Sequence, residues 1–330
     1  MIRLSNRFAG ALALVALFLP VIHAAAQQDV PAAPVAQTPS APAPAAAAPV
    51  FPKPDPANFT AAAPSKDTVN AFLQASWGYD ETRVWEIWAI QKTEVEGISK
   101  VILLVGDKTG KHQMMPASFY VLPDEKHIFA GDDIMPFGAN PFADARAQLQ
   151  QRADGPYRGA ASKDLEIVEF ADLQCPHCKD AQANMDKLAV DFPKARIVFQ
   201  NFPLPQHAAA PLATAYGYCV TRQGGSNAFF IFASAVFDGQ EGLSSADGTT
   251  LTLNSAVTKA GQDPTAIAAC AKTPAAIAAV QAAVKLGQDL KITQTPTLMI
   301  NGRPVLATAS YDTLKQIILY QAKLDGVVAQ

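Results

Sequence analysis

Cys175-Pro176-His177-Cys178 is the stretch of this chain whose residue types and spacing can do chemistry. Thiols at positions i and i+3 of a helix lie on nearly the same face and within bridging distance, so the pair reads as a dithiol that can open and close. The run Leu165-Glu166-Ile167-Val168-Glu169-Phe170-Ala171 before it is short, nearly all apolar and rich in β-branched and aromatic residues, as a buried strand is. After it, Ala181, Met185, Leu188, Ala189 and Phe192 recur at helical spacing. The cysteines therefore fall where a strand hands over to a helix, with Cys175 at the cap and Pro176 in the first turn, where a missing N–H costs little. Unpaired N–H groups and the positive end of the helix dipole favour a thiolate at Cys175. A thiolate is the attacking species in disulfide exchange. Cys175 reads as the nucleophile and Cys178 as the resolving thiol.

His177, between them, reads as a tuning residue: its N–H points toward the thiolate and its imidazolium would add positive charge. The plainer alternative is a solvated loop histidine. Glu169 is either a proton acceptor for Cys178, its pKa raised by desolvation, or an edge-strand acid facing water. The remaining cysteines, Cys219 and Cys270, form a second disulfide or are two separate buried thiols. A zinc site built from all four does not fit the two close-spaced ligand pairs that structural zinc uses.

The segment Val168-Glu169-Phe170-Ala171-Asp172-Leu173-Gln174-Cys175-Pro176-His177-Cys178 resembles the active-site strand and helix start of the DsbA-like thioredoxin-fold family of extracytoplasmic thiol-disulfide oxidoreductases. The resemblance continues through Asn201-Phe202-Pro203-Leu204-Pro205-Gln206-His207 and through Gln294-Thr295-Pro296-Thr297-Leu298-Met299-Ile300-Asn301-Gly302-Arg303. It implies a thioredoxin fold, an acid at the place of Glu169, and a Cys-Pro-His-Cys pattern of the oxidising members. It also implies that Pro296 is cis and faces the cysteines, against a base rate of ~5% for X-Pro bonds. The backbone of Thr295 would then pair with a client peptide as a strand does.

The rest of the chain has to position that dithiol. The 330 residues, 49% of them hydrophobic, with a net charge of −3, allow two domains plus extras. There is no Lys/Arg cluster of the kind that nucleic acid requires. Arg3 and Arg7 precede an apolar run from Phe8 to Ile22, and Ala24-Ala25-Ala26 follows: residues 1–26 read as a secretory signal peptide. An uncleaved anchor is the rival, although the apolar core falls short of the ~20 residues a span needs. Export places the mature chain in the periplasm, free or tethered to the membrane facing it, where thiols are oxidised. Residues 27–64, dominated by alanine and proline, read as a disordered spacer.

Residues 65–140 read as a small α+β module. Ser65 caps a helix carrying Val69, Phe72 and Leu73, and Gly78 ends it. Strands follow at Val84 to Ile90, Ile98 to Val105, Gln113 to Leu122 and His127 to Ile134, a meander packed on the helix. Trp77, Trp85, Trp88 and Met114-Met115 are read as core. Through Glu96-Gly97-Ile98-Ser99-Lys100-Val101 and Pro123-Asp124-Glu125-Lys126-His127-Ile128-Phe129-Ala130-Gly131, this part resembles the cystatin-like dimerisation module of DsbC/DsbG-type isomerases, which implies a homodimer through residues 65–140.

Residues 141–155 form a linker helix, and 156–330 the thioredoxin domain. Between a strand at Ala195 to Phe202 and Thr295 lie about ninety residues of helical pattern, too long for a simple connection and read as an inserted helical subdomain at about 207–292. Its helices span Ala208 to Thr221, Asn227 to Phe237, Thr249 to Ala260, Pro264 to Cys270 and Ala275 to Leu290, with Phe229, Phe230 and Phe232 in its core and His207 as a structural residue at its start. A hairpin turning at Asn301-Gly302 and a helix over Tyr311 to Leu324 close the chain.

The fold class is therefore α/β: a thioredoxin fold with a helical insertion, preceded by a smaller cystatin-like module. The function that fits is a periplasmic thiol-disulfide oxidoreductase acting on exported proteins with cysteines, recharged by a redox partner in solution or in the membrane, and needing no cofactor or metal. Oxidase is favoured over a DsbC/DsbG-type isomerase or reductase; a non-catalytic chaperone or metal-binding protein is the alternative of another class.

Overall fold

The computed structural model describes residues 50–110 and 113–330. The expected signal peptide and the spacer up to residue 49 lie outside the described residues.

The module begins earlier than its composition suggests. A single 3-10 turn at Pro56–Asn58 is capped by Asp55, and Phe59 forms a β-bridge to Ile90. Phe59 and Ala61 pack against the module core, and the Ser99 hydroxyl donates to the carbonyl of Ala63 at 2.6 Å. The end of the expected disordered spacer is thus laid on the sheet, because one aromatic side chain among the alanines and prolines has a core to join. Helix α1 (Lys66–Trp77) follows, its Ser65 cap accepting from the N–H of Thr68 at 3.1 Å.

Strands β1 (Arg83–Lys92), β2 (Ser99–Asp107), β3 (Met115–Val121), β4 (His127–Ala130) and β5 (Asp133–Pro136) form an antiparallel meander in that order. The expected single strand from His127 to Ile134 is two short ones, since Gly131 at φ +62° turns the chain between Ala130 and Asp133. Val69, Phe72 and Leu73 of α1 meet Ile87, Val101, Leu103 and Phe119 in one core. Trp77 and Trp85 pack at its margin with ring centroids 6.1 Å apart, whereas Met115, read as core, is 66% exposed near the sheet's rim.

Helix α2 (Ala143–Arg152) leads into β6 (Tyr157–Gly159), a three-residue strand too short to leave a periodicity in the sequence. Next come β7 (Glu166–Ala171), α3 (Pro176–Asp191) and β8 (Arg196–Asn201). The insertion comprises α4 (Ala210–Asp238), α5 (Ala246–Lys259), α6 (Pro264–Cys270) and α7 (Pro274–Asp289). Two expected helices are merged in α4 across a break at Gly225, whose φ of +74° no side-chain-bearing residue adopts without strain. Strands β9 (Thr297–Ile300) and β10 (Arg303–Leu306) and helix α8 (Tyr311–Leu324) end the domain.

The second sheet has the order β10-β9-β7-β8-β6, with β7 and β8 parallel and the other pairs antiparallel. This is the thioredoxin fold. Every residue of β7 and β8 is buried because both faces are covered. Ile167 and Ile197 face α3 and α8, whose Met185, Leu188, Leu314 and Ile318 share their core. Val168, Phe170 and Val198 face α2 and α7 through Leu149 and Leu286. The core of the insertion is continuous with Leu173, Cys175 and Cys178, so the helical cap and the cysteines pack as one body.

Module and domain meet at Arg303. Its guanidinium, 4% exposed, donates through Nη1 to the carbonyl of Ser76 at 2.9 Å, through Nη2 to that of Ala75, and through Nε to Gln321 Oε1 at 2.9 Å. The two carbonyls belong to the last turn of α1, where intrahelical partners run out and the dipole favours a cation.

Cys219 of α4 and Cys270 of α6 are bonded, 51 residues apart in sequence. A loop of that length loses about 4 kcal/mol of unfolded-state entropy when closed. The double variant Cys219→Ala/Cys270→Ala is expected to be about 2–4 kcal/mol less stable in chemical denaturation, with the thiol chemistry of Cys175 intact.

Candidate redox site

Strand β7 is the middle strand of its sheet, and it ends at a tight turn, Asp172 to Gln174, from which α3 starts. Cys175 is the N-cap, with extended backbone (φ −78°, ψ 122°), and Pro176 opens the helix. Both cysteines are free thiols and both are buried, Cys178 completely. The Thr295-Pro296 peptide is cis and lies against them: Cys175 Sγ is 3.6 Å from the Thr295 carbonyl oxygen, to which it can donate only in its protonated form. The three elements that meet here, the end of β7, the start of α3 and the loop before β9, are those on which the sequence motifs fall.

The electrostatics separate the two sulfurs. Cys175 is brought down to about 5, chiefly by the hydrogen bond from the Cys178 thiol. Burial opposes this, while the Thr295 hydroxyl and the N–H groups of Cys178 and His177 add to it. Cys178 is pushed far above the ordinary thiol range by burial and by the negative charge beside it. One sulfur is thus a thiolate at neutral pH and the other a thiol that donates to it.

Of the supporting residues, His177 contributes its backbone N–H, but its imidazole is exposed and stands 4.0 Å from Asp180. Glu169 is not at an edge: it is buried in the central strand, and Gln182 Nε2 bridges its Oε1 at 2.9 Å to the carbonyl of Cys178 at 3.0 Å. Burial raises its pKa to about 7, against the pull of Gln182 and Arg158. Cys219 and Cys270 are joined to each other, apart from the Cys175–Cys178 pair.

Sequence reading passed over the residues that hold the turn. Gln240, the first residue of the 3-10 turn Gln240–Ser244 that follows α4, donates to the carbonyls of both Leu173 and Cys175 at 3.0 Å. Gln174 accepts from the N–H of Ala209 at 2.8 Å and donates to the carbonyl of Leu243 at 3.3 Å. Asp172 is fully buried and hydrogen-bonded to His207, 35 residues away. The only local signal for any of them is Asp172 itself, an acid two residues beyond a buried strand's last aromatic.

A dithiol split in this way, at the start of a helix and under a cis-proline, is the site of a thioredoxin-fold protein. The chain belongs to the thioredoxin family, whose model matches residues 151–319. Among solved structures it is similar to a thioredoxin-like oxidoreductase from Silicibacter pomeroyi, with 23% identity and a TM-score of 0.46 over 54% of this chain and 98% of that one. It is similar also to oxidised BdbD from Bacillus subtilis, with 23% identity and a TM-score of 0.46 over 51% and 93% of the two chains. For DsbA2 from Pseudomonas aeruginosa the identity is 27% and the TM-score 0.41, over 51% and 93%. Among curated proteins, the Na(+)/H(+) antiporter NhaA 3 of Salinispora tropica is 32% identical over 68 residues, which are 20% of this chain and 10% of that protein. The match thus spans about a tenth of the length of that curated relative.

Two pH dependences follow. Alkylation of Cys175 by iodoacetamide should rise with a midpoint near pH 5 and be flat by neutrality, whereas a free cysteine keeps gaining up to ~8.5. A profile of the second kind would contradict the thiolate. Glu169, with its pKa raised, holds a proton that the unfolded chain has released between the ordinary carboxylate value and about 7. Its contribution to stability is therefore present at the acid end of that window and lost as pH rises through 7. Glu169→Gln removes that slope, so melting temperature should fall less between mildly acidic and mildly alkaline buffer in the variant than in the parent.

Proposed function

We propose that this protein is an extracytoplasmic thiol-disulfide oxidoreductase that oxidises cysteine pairs in exported proteins. The observation that supports it most is the Cys175 thiolate, held at a helix start by the Cys178 thiol beneath the cis Thr295-Pro296 peptide. In the disulfide form, a client thiolate attacks Cys175 Sγ, the Cys175–Cys178 bond breaks, and Cys178 leaves with the electron pair and takes up a proton. A second client thiolate then attacks the client sulfur of the mixed disulfide and releases Cys175 as its thiolate. The client has lost two electrons and the enzyme has gained them; a redox partner, in the membrane or in solution, takes them away. Glu169 is the proposed acceptor of the proton that Cys178 gives up and donor of the one it gains; its raised pKa and its burial in the strand that leads to the cysteines support that role.

The thiolate is what supports the oxidising direction. A reduced form stabilised by a favourable charge makes the corresponding disulfide a stronger oxidant. An isomerase or reductase reading draws on the module before the domain. On the outer face of that module's sheet, Tyr120, Phe129 and Ile134 are aligned in register across β3, β4 and β5, and all three are exposed. We include in the proposal that this module pairs two copies of the chain, and the apolar row supports that part.

Cys175→Ser is expected to abolish both insulin reduction and peptide oxidation, and undiminished exchange would refute the mechanism. Equilibration with glutathione should place the Cys175–Cys178 couple well above thioredoxin in potential. Light scattering should return a dimer for the mature protein; a monomer would discard the module as a dimeriser.

A further inference from the structure

Asp172 is an ionisable side chain at 1% exposure, beside the sulfurs, with no part in the exchange just described. Its carboxylate is satisfied from three directions. Oδ1 accepts from the N–H of Gln174 at 2.7 Å, and Oδ2 accepts from the N–H of Leu204 at 2.8 Å and lies 2.8 Å from His207 Nδ1. A carboxylate that already takes two N–H groups is an acceptor, so the ring nitrogen donates. These contacts tie the β7–α3 turn to the loop after β8, and they restrain Asp172 together with the backbone bond from the Phe202 N–H to the Ala171 carbonyl, 2.7 Å, which holds the other end of the same peptide. The N–H of that same residue donates to Cys178 Sγ at 3.4 Å. Burying a carboxylate is costly unless it is fully hydrogen-bonded, and here the hydrogen bonds converge on the side chain of the residue whose own N–H is aimed at the buried sulfur.

We propose that Asp172 and His207 are positioning residues for Cys178, holding the Asp172 N–H as a fixed donor to that sulfur whenever it carries negative charge. The inference rests on the exchange reading of the Cys175–Cys178 pair. When the enzyme works in the reducing direction, Cys178 gives up its proton and its thiolate attacks Cys175 Sγ in the mixed disulfide. The Cys175–Cys178 bond forms, the Cys175–client bond breaks, and the client sulfur leaves as a thiolate that accepts a proton. In the oxidising direction the same step runs backwards and Cys178 is the leaving group. In both, charge passes through a sulfur that is completely buried, so a donor must already be in place when the charge arrives. The Asp172 N–H draws the Cys178 pKa down, against burial and the Cys175 charge. The titratable groups that bear on Cys178 are Cys175 on α3, Glu169 on β7 through Gln182, and Asp172 with His207 in the two loops.

Rapid mixing of the reduced full-length protein with a fluorescent disulfide peptide separates the two steps, mixed-disulfide formation by Cys175 and release of the peptide by Cys178. Asp172→Asn keeps the shape but replaces one acceptor with a donor facing other N–H groups. It is expected to slow release about tenfold, with the first step and the pH profile of Cys175 alkylation as in the parent. His207→Gln, at a side chain partly open to solvent, is expected to slow release about threefold, and it carries the test if Asp172→Asn does not fold. Release at the parent rate in the folded variant overturns the proposal. So does equal slowing of both steps with a displaced Cys175 profile, which would mark general damage to the turn. If the unsubstituted protein forms no mixed disulfide, the exchange reading itself fails, an outcome seen in the parent before any variant is compared.

Discussion

The hydrogen bond from the Cys178 thiol to the Cys175 sulfur is the interaction on which the rest of the site depends. A thiolate that is only 4% exposed has lost most of its water, and its charge persists only because donors already point at it. The chief donor is itself an ionisable group. Cys178 can serve in that role only while it keeps its proton, and burial ensures that it does. The contrast between the two sulfurs is therefore one property of the pair rather than two independent pKa values. The strand buried on both faces, the helix start and the cis-proline loop together bury the pair in which this contrast exists.

The helical insertion completes that burial. Gln240 and Gln174 exchange hydrogen bonds between the insertion and the turn that carries the cysteines, and Leu173, Cys175 and Cys178 belong to the same apolar core as Phe229 and Phe232. The disulfide between α4 and α6 braces the cap from the far side. Gln240 of the insertion reaches the carbonyls of Leu173 and of Cys175 itself.

How much of this is legible in the sequence depends on the range of the interaction. The strand before the cysteines, the helix after them, the Ser65 cap, the Asn301-Gly302 turn and the closing helix are encoded within a few residues, and periodicity and turn chemistry give them closely. Elements too short for a period are lost: β6 has three residues, and β4 and β5 blur into one run. The spacer's ordered end is hidden because composition averages over Phe59 and the few residues after it that reach the sheet. In the site, the two cysteines and Pro296 announce themselves by type and spacing. Asp172, His207 and Gln240 do not, since their partners are 35 to 67 residues away and only the fold brings them together.

Arg303 has a consequence of a different kind. Its guanidinium is buried between the last turn of α1 and Gln321, close over the ring of Phe142, with carbonyl and amide oxygens as acceptors, and burial lowers its pKa only to about 10, so the charge stays. Lysine could not replace it, because a single ammonium cannot reach two helix carbonyls and a side-chain amide in fixed directions. If α1 were to lift away, the guanidinium would keep Gln321 but lose two of its acceptors, and two helix carbonyls would lose their partners together. The small module and the thioredoxin domain are therefore expected to come apart only together: the seam between them is a plug rather than a hinge, and the β10 strand that holds the plug is hydrogen-bonded directly to the strand that follows the cis-proline.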